Sequence, residues 1–84
     1  MSTLTDQFQQ AVADCKNLSA RPDSATMLRI YALYKQASAG DAEDERPGFA
    51  DMVGRAKWDA WNALKGQSGD AAKQAYIDLI EDLK

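Results

Sequence analysis

The side chains with the clearest chemical potential lie in one stretch, MLRIYALYKQASA, which covers Met27–Ala39. The spacing of its apolar residues predicts a helix with about 3.6 residues per turn. Leu28, Tyr31 and Lys35 recur at i, i+3 and i+7, so they share one face of that helix. Apolar carbon, a ring and an ammonium in series would suit a ligand with a tail, a flat base and a phosphate. The alternative interpretation is a half-buried tyrosine beside a solvated lysine.

A second face of the same helix is predicted to belong to the core. It carries apolar side chains at i, i+3, i+7 and i+10, namely Met27, Ile30, Tyr34 and Ala37. This periodicity is typical of a helix that packs one stripe against its neighbours.

The residue content excludes several kinds of site. The chain has no histidine and one cysteine, Cys15, so it lacks the usual metal-ligand clusters and histidine-activated nucleophiles. We therefore expect no metal, no cofactor and no enzymatic activity. Cys15 falls on an apolar stripe and is expected to be a small core residue. The carboxylates around Pro47 do not have the spacing of an EF-hand loop, so calcium is not expected.

Charge and hydropathy narrow the range of partners. The formal net charge of −3 argues against a general nucleic-acid surface, although Lys and Arg together number 10 and leave room for local basic sites. No apolar run is long enough to span a bilayer, and the polar N-terminus lacks the build of a signal peptide. We expect a monomer in the cytoplasm with no stable membrane insertion.

The remaining periodicity predicts an all-α fold in one domain, residues 1–84. Four helices are expected, and no strand-like alternation competes with them. Their predicted bounds are about Thr5–Leu18, from an Asp23 or Ser24 cap to Gly40, Gly54–Lys65, and from a Ser68 cap to Lys84. Such a set packs as a four-helix bundle.

A long connection separates the second and third helices. Gly40–Val53 has no period and contains an acidic run, which predicts a solvated acidic loop. Phe49 and Met52 are expected to pack beneath it. In the third helix, at least one of Trp58 and Trp61 is expected to anchor the core.

An ordered string of short motifs runs through these elements. It reads Tyr31-x-x-Tyr34-Lys35-Gln36-Ala37, Gly40-Asp41, Glu45-Arg46-Pro47-Gly48, Ala56-Lys57-Trp58-Asp59-Ala60-Trp61-Asn62, Leu64-Lys65-Gly66 and Ala75-Tyr76. In this order and combination, the string resembles the acyl-CoA-binding protein family. The resemblance covers nearly the whole chain, from about Phe8 to Leu83.

The resemblance implies a four-helix bundle that holds one long-chain acyl-CoA and acts as a carrier and pool former, not as a catalyst. By the same resemblance, Tyr31 packs on the adenine, while Lys35 and Lys57 address the phosphates of the nucleotide. Tyr76 closes on the bound ligand, and Lys16 lies near the nucleotide. The full set implied for the ligand is Lys16, Tyr31, Ala32, Leu33, Tyr34, Lys35, Lys57 and Tyr76. The set implied for the acyl chain is Phe8, Val12, Met27 and Leu28.

The physical chemistry of coenzyme A agrees with these roles. Its 3′-phosphate and pyrophosphate need fixed cations, and its adenine offers a flat face to an aromatic ring. An acyl chain gains about 0.8 kcal/mol for each methylene removed from water. A groove that is apolar on one side and basic on the other would meet all three needs.

Some positions depart from the family pattern. Val53 stands where the family commonly has a lysine, so one phosphate-side cation is expected to be missing. Val53 also supports an alternative, in which the chain is a helical interaction adaptor that kept the fold but lost the ligand. Against it, Tyr31, Lys35, Lys57 and Tyr76 are retained. An esterase acting on acyl-CoA would need a nucleophile system that the chain lacks.

Overall fold

The structure, a computed structural model, describes residues 3–84, and within them all regular structure is helical. The four helices are α1 (Leu4–Cys15), α2 (Ser24–Ala39), α3 (Met52–Asn62) and α4 (Gly69–Leu83). Helix α4 packs against both α1 and α2, and α2 also packs against α3. The predicted all-α bundle with a long connection between its second and third helices is confirmed.

Each helix begins at a polar side chain that accepts a free backbone N–H of the first turn. Thr3, Asp23, Asp51 and Ser68 accept from the N–H groups three residues later. At α1 the bond is reciprocal, because the Asp6 carboxylate also accepts from the Thr3 N–H. Such caps fix the start of a helix because its first N–H groups have no partner within the helix.

Two helices end or begin away from their predicted bounds. Helix α1 ends at Cys15 instead of Leu18, because the N–H groups of Lys16 and Asn17 bond three residues back and close a tight turn. Helix α3 is shifted two or three residues toward the N-terminus of the chain. Its Asp51 cap starts it at Met52, and turn bonds after Asn62 lead to Gly66, whose φ is 93°.

The core has two clusters that share the α2 backbone. One lies between α1, α2 and α4 and contains Phe8, Ala11, Ile30, Leu33, Tyr76 and Ile80. Cys15 packs on it as a partly buried residue, as predicted. The other cluster joins α2 to α3 and the long loop through Ala32, Ala42 and Trp61.

The core stripe predicted for α2 is wrong at two of its four positions. Met27 and Tyr34 are exposed, whereas Leu33 and Gln36 are buried. The physical reason is that α2 contacts α4 on one side and α3 on another, so its buried arc is wide and passes through Ala32 and Leu33. Met27 and Tyr34 are thereby left at the edge of this arc, facing a groove.

The connection between α2 and α3 is held by polar contacts and by one small buried side chain, Ala42, rather than by its large apolar side chains. Trp61 Nε1 donates to the Gly40 carbonyl at 2.7 Å, and Trp58 Nε1 donates to the Asp44 carbonyl at 3.1 Å. The expectation that Phe49 and Met52 pack beneath the loop is wrong, because they are 85% and 77% exposed. Their place under the loop is taken by smaller groups, with Ala42 buried against Trp61.

One carboxylate, Asp41, links this loop to the turn after α3. Its Oδ1 accepts a hydrogen bond from the Gly66 N–H and another from Gln36 Nε2, each at 2.8 Å. Gln36 is buried and also donates to the Gln67 carbonyl at 2.9 Å. These bonds lower the pKa of Asp41, and the Gly66 N–H is the larger cause.

We expect Asp41 to contribute to acid sensitivity. A carboxyl with a lowered folded pKa stabilises the fold above its unfolded pKa of about 3.9, and this stability is lost as the pH falls through the folded pKa. The melting temperature should therefore fall below about pH 4, and Asp41→Asn should make this fall shallower. Thermal denaturation from about pH 7 to about pH 3 measures the fall of the melting temperature with pH. Glu43→Gln, in the same loop, is the control. Equal slopes for all three proteins would contradict the role of Asp41.

Candidate functional site

A groove of about 690 Å³ lies between α2 and the first turns of α3, with Tyr76 of α4 in its wall. The turn before α2 contributes residues at one edge. The lining residues are Arg21, Pro22, Ser24, Met27, Leu28, Ile30, Tyr31, Tyr34, Met52, Val53, Ala56, Lys57 and Tyr76. Its walls are mostly apolar carbon, interrupted by two cations and three tyrosine rings. A cavity of this size with few polar groups suits a ligand that is itself part apolar and part charged.

The α2–α3 interface carries two cation–ring pairs, one turn apart. Lys57 Nζ lies 5.3 Å from the centre of the Tyr31 ring, and Lys35 Nζ lies 4.8 Å from the centre of the Trp61 ring. Each helix supplies one ring and one ammonium, at i and i+4. Because both pairs advance in the same direction along the two helices, α2 and α3 run parallel where they meet. A cation over an aromatic face is attracted by the ring quadrupole.

The Tyr31–Lys57 pair lies in the groove, whereas the Lys35–Trp61 pair does not. Tyr31 and Lys57 both line the cavity, so a flat base and an anion could meet a ring and an ammonium at one place. Lys35 is half-buried and its ammonium lies on the buried Trp61, outside the lining. Tyr31 therefore faces the groove without Lys35. The cation beside its ring in the groove is Lys57, which comes from α3.

A cluster of aromatic rings forms one end of the groove floor. Phe8 stacks on Tyr34 with ring centres 6.1 Å apart and meets the edge of Tyr76 at 5.1 Å. Burial raises the pKa of the Tyr76 hydroxyl, and a hydrogen bond with the Cys15 side chain raises it further. Both effects favour the protonated hydroxyl, which can donate a hydrogen bond.

The structure gathers half of the sequence-predicted ligand residues around the groove. Those in its lining are Met27, Leu28, Tyr31, Tyr34, Lys57 and Tyr76. Those outside its lining are Phe8, Val12, Lys16, Ala32, Leu33 and Lys35. Phe8 is buried beneath Tyr34 and Tyr76, and Val12 packs on the same core. Lys16 is exposed at the C-cap of α1.

Ala32 and Leu33 lie on the other side of α2 from the groove. Both side chains are buried, Leu33 in the cluster with α4 and Ala32 in the cluster with Trp61. Neither side chain therefore faces the cavity that Tyr31 and Tyr34 line.

Sequence reasoning missed several groove residues. Arg21, Pro22 and Ser24 line it from the turn before α2, and Ile30, Met52 and Ala56 complete its walls. Arg21 could have been found from the sequence. It is a cation placed just before the capped start of α2, so it must lie next to the first turn of that helix. Met52 precedes the predicted start of α3 at Gly54, and Ala56 lies within the predicted helix but carries no chemical signal that distinguishes it from other alanines.

Among residues 3–84, no helix combines the length and the apolar character needed to cross a membrane. Over that range, no three His, Cys, Asp or Glu side chains are grouped closely enough to hold a metal ion.

Comparison with known proteins identifies the family. The family model described as acyl-CoA binding protein matches residues 5–80 of this chain. The chain belongs to the acyl-CoA-binding protein family. The acyl-CoA-binding protein homolog of Drosophila melanogaster is 46% identical over 80 residues, which cover 95% of this chain and 93% of that protein. Homolog 1 of Caenorhabditis elegans is 41% identical over 80 residues, covering 95% of this chain and 93% of its own length.

Solved structures of family members share the fold. Acyl-CoA-binding protein 2 of Oryza sativa superposes with a TM-score of 0.92 at 34% identity, covering 96% of this chain and 90% of that one. The yeast acyl coenzyme A binding protein superposes with a TM-score of 0.75 at 39% identity, covering 94% of this chain and 92% of that one. The resemblance inferred from the motif string is thus confirmed, and so is the bundle.

The valine that departs from the family pattern lies on the groove wall. Val53 is 67% exposed and precedes Lys57 by one turn of α3, so both residues face the cavity. A lysine at position 53 would place a second ammonium next to the first.

We expect Val53→Lys to strengthen binding of acyl-CoA by a few tenths to about 1 kcal/mol, which is the scale of an exposed ion pair. Calorimetry at two salt concentrations measures the gain, which should shrink as salt rises because exposed charges are screened. Ala71→Lys, exposed on α4 outside the groove, adds the same charge and serves as the control. A gain that salt does not change would point to packing and would contradict the electrostatic explanation.

Proposed function

We propose that this protein binds one long-chain acyl-CoA in the groove and carries it in the cytoplasm as a monomer. The observation that carries the proposal is the meeting of three kinds of surface in one cavity. Apolar carbon from Met27 and Leu28, the Tyr31 ring and the Lys57 ammonium all line it. Family membership supports the same ligand, because the relatives and solved structures that match are acyl-CoA-binding proteins.

The proposed pose follows from the chemistry of the lining. The adenine packs against Tyr31, and the 3′-phosphate on the neighbouring ribose pairs with Lys57, whose ammonium already lies 5.3 Å from the tyrosine ring. The acyl chain lies along Met27 and Leu28. The Tyr76 hydroxyl donates a hydrogen bond to the ligand from the groove wall. All of these contacts are non-covalent and leave the ligand chemically unchanged.

Two of the predicted lysines contribute only after a movement or at longer range. Lys35 would exchange its contact with Trp61 for the phosphates, at the cost of one cation–ring interaction. Lys16 lies exposed at the end of α1 and would act as a mobile cation near the nucleotide. Lys57 also lies over a ring, but that ring and Lys57 both line the groove, so we assign the larger share of phosphate binding to Lys57.

The protein is a carrier rather than a catalyst. The chain contains no histidine, and its one cysteine packs against the core. A thioester in the groove therefore meets no activated nucleophile. Members of the family bind acyl-CoA, and the adaptor alternative is not favoured because the groove keeps its ring and its cation together.

Calorimetry with palmitoyl-CoA, palmitate and free coenzyme A tests the proposal. We expect palmitoyl-CoA to bind at least about tenfold more tightly than either part, because charged phosphate contacts and acyl burial both contribute. Affinity should also rise with acyl length, by up to about 0.8 kcal/mol for each methylene buried. Equal affinity for palmitate and palmitoyl-CoA would contradict the proposal and would indicate a plain lipid binder.

A further inference from the structure

A second cavity, of about 300 Å³, lies on the other side of α2 from the groove, between α2, α3 and α4. Four of the residues that line it are alanines, namely Ala25 and Ala32 of α2, Ala60 of α3 and Ala75 of α4. Because the side chain of alanine is a single methyl group, the three helices do not fill the space between them. We call this space the back cavity.

We propose that the back cavity holds the far end of a long acyl chain whose thioester and nucleotide lie in the groove. The chain passes from the groove to the back cavity at Leu28, which therefore sets the length of chain that the groove takes by itself. The inference rests on the proposed function and deepens it, because it names the part of the structure that selects long acyl chains.

Leu28 is the wall between the two cavities. In the described part of the chain, it is the one residue that lines both of them, and its side chain is half-buried. On one side of it, Met27 and Tyr31 line the groove, and on the other, Ala25 and Ala32 line the back cavity. Since the wall is a side chain and not backbone, a change between staggered rotamers of Leu28 joins the two cavities.

The lining of the back cavity suits a methylene chain. Leu33 and Leu64 line it together with the four alanines, so most of its surface is methyl and methylene carbon. Its two polar residues are Arg29 and Gln67. Arg29 is exposed, so its guanidinium stays in water while its methylene stem adds apolar surface. The Gln67 carbonyl accepts from Gln36 Nε2 at 2.9 Å, which fixes the turn that closes this end of the cavity.

The volume of the back cavity is large enough for part of an acyl chain. An apolar cavity of about 150 Å³ holds a benzene molecule, and the back cavity has about twice that volume. The groove, at about 690 Å³, must also take the nucleotide in the proposed pose. The end of a long chain therefore gains from a second apolar space, by up to about fourfold in affinity for each methylene that it buries.

The position of the back cavity favours the acyl tail over a separate apolar ligand. A separate molecule would have to bind through this small cavity alone. The tail is instead part of a ligand that the groove already holds, so its effective concentration at Leu28 is high. Continuity between the two spaces therefore assigns the back cavity to the same ligand.

Calorimetry with a series from octanoyl-CoA to stearoyl-CoA tests the effect on chain length. Ala60→Leu and Ala75→Leu each place a larger side chain in the back cavity. Either variant should lower the ratio of stearoyl-CoA to octanoyl-CoA affinity about tenfold, because the tail loses the burial of about two methylenes. Ala71→Leu, exposed on α4 outside both cavities, is the matched control and should keep the wild-type ratio. Circular dichroism checks that each variant is folded.

Nuclear magnetic resonance gives a direct readout in the wild-type protein. Stearoyl-CoA labelled at its terminal methyl group should show nuclear Overhauser effects to the methyl groups of Ala60 and Ala75. Octanoyl-CoA labelled in the same way should show none to these alanines, because its chain ends in the groove. This experiment needs no substitution, so it decides the question even where a filled variant does not fold.

Three results would overturn the inference and leave the proposed function intact. In the first, stearoyl-CoA binds, but its terminal methyl contacts only groove residues such as Met52 or stays in water. In the second, both filled variants are folded and keep the wild-type affinity ratio. In the third, two esters bind to each chain, since the back cavity would then take a separate molecule. If no acyl-CoA ester binds at all, the proposed function fails and this inference fails with it.

Discussion

Replacing Trp61 by alanine is expected to lower the free energy of unfolding by about 3–5 kcal/mol. The side chain is 6% exposed and packs against Ala32 of α2 and Ala42 of the long loop. Its Nε1 donates to the Gly40 carbonyl at 2.7 Å, and the Lys35 ammonium lies over its ring. One substitution therefore removes the contact that joins α2, α3 and the loop between them. A domain of this size has about 5–15 kcal/mol of stability in total.

Urea denaturation followed by circular dichroism measures this loss. Trp61→Phe is the matched control, since it keeps one aromatic ring in the core but removes the N–H donor and the remaining part of the indole. We expect it to cost about 1–3 kcal/mol, the range for leaving a buried acceptor such as the Gly40 carbonyl without a partner. A loss below about 1 kcal/mol for Trp61→Ala would contradict the central role of Trp61.

The same variant should also test the position of Lys35. Once the ring is removed, the ammonium of Lys35 has no cation–ring contact to leave before it approaches a phosphate. If Trp61→Ala remains folded at low temperature, the binding contribution of Lys35 should be larger than in wild-type protein. Trp61 therefore acts both on stability and on the availability of a ligand cation.

Much of the fold could be predicted because local signals specify it. The apolar stripe through Ala72, Tyr76 and Ile80 repeats with helical period, and all three residues are buried. The caps at Asp23 and Ser68 are side chains that satisfy backbone groups within three residues, so no tertiary information is needed. The motif string then fixed the family, because several short patterns in one order are far more specific than any one of them.

The rest depends on contacts between helices, which periodicity does not encode. A helical wheel places Tyr31 and Lys35 on one face, but Trp61 draws Lys35 away from the groove. The wheel also places Met27 in a core stripe, whereas the wide buried arc of α2 leaves it at the groove edge. Arg21 enters the groove from a turn, where neither helical nor strand periodicity applies.

The same limit explains the exposed apolar residues at the start of α3. Sequence reasoning places large apolar side chains beneath a loop because burial removes apolar area from water. In the structure, the tryptophan N–H groups and Asp41 hold the loop, so Phe49 is not required for packing there.

Removal of the 3′-phosphate from palmitoyl-CoA is expected to weaken binding by at least about tenfold. The phosphate is a dianion, and the proposed pose pairs it with Lys57 beside the Tyr31 ring. A hydrogen bond that involves a charged group contributes about 1.5–3 kcal/mol, roughly twice a neutral one. Lys57→Ala should therefore cause a loss of similar size with the complete ester. Calorimetry with both esters and both proteins gives the four affinities needed.

The decisive quantity is the non-additivity of these two changes. If Lys57 and the phosphate are partners, Lys57→Ala should cause little further loss with the dephospho ester, because the contact is already absent. The coupling free energy should then be about 1.5–3 kcal/mol. Lys65→Ala, exposed in the turn after α3 and outside the groove, removes a charge of the same sign and should give no coupling. If wild-type protein binds the dephospho ester as tightly as the complete one, Lys57 is a solvated lysine on a ring, and the phosphate lies elsewhere in the groove.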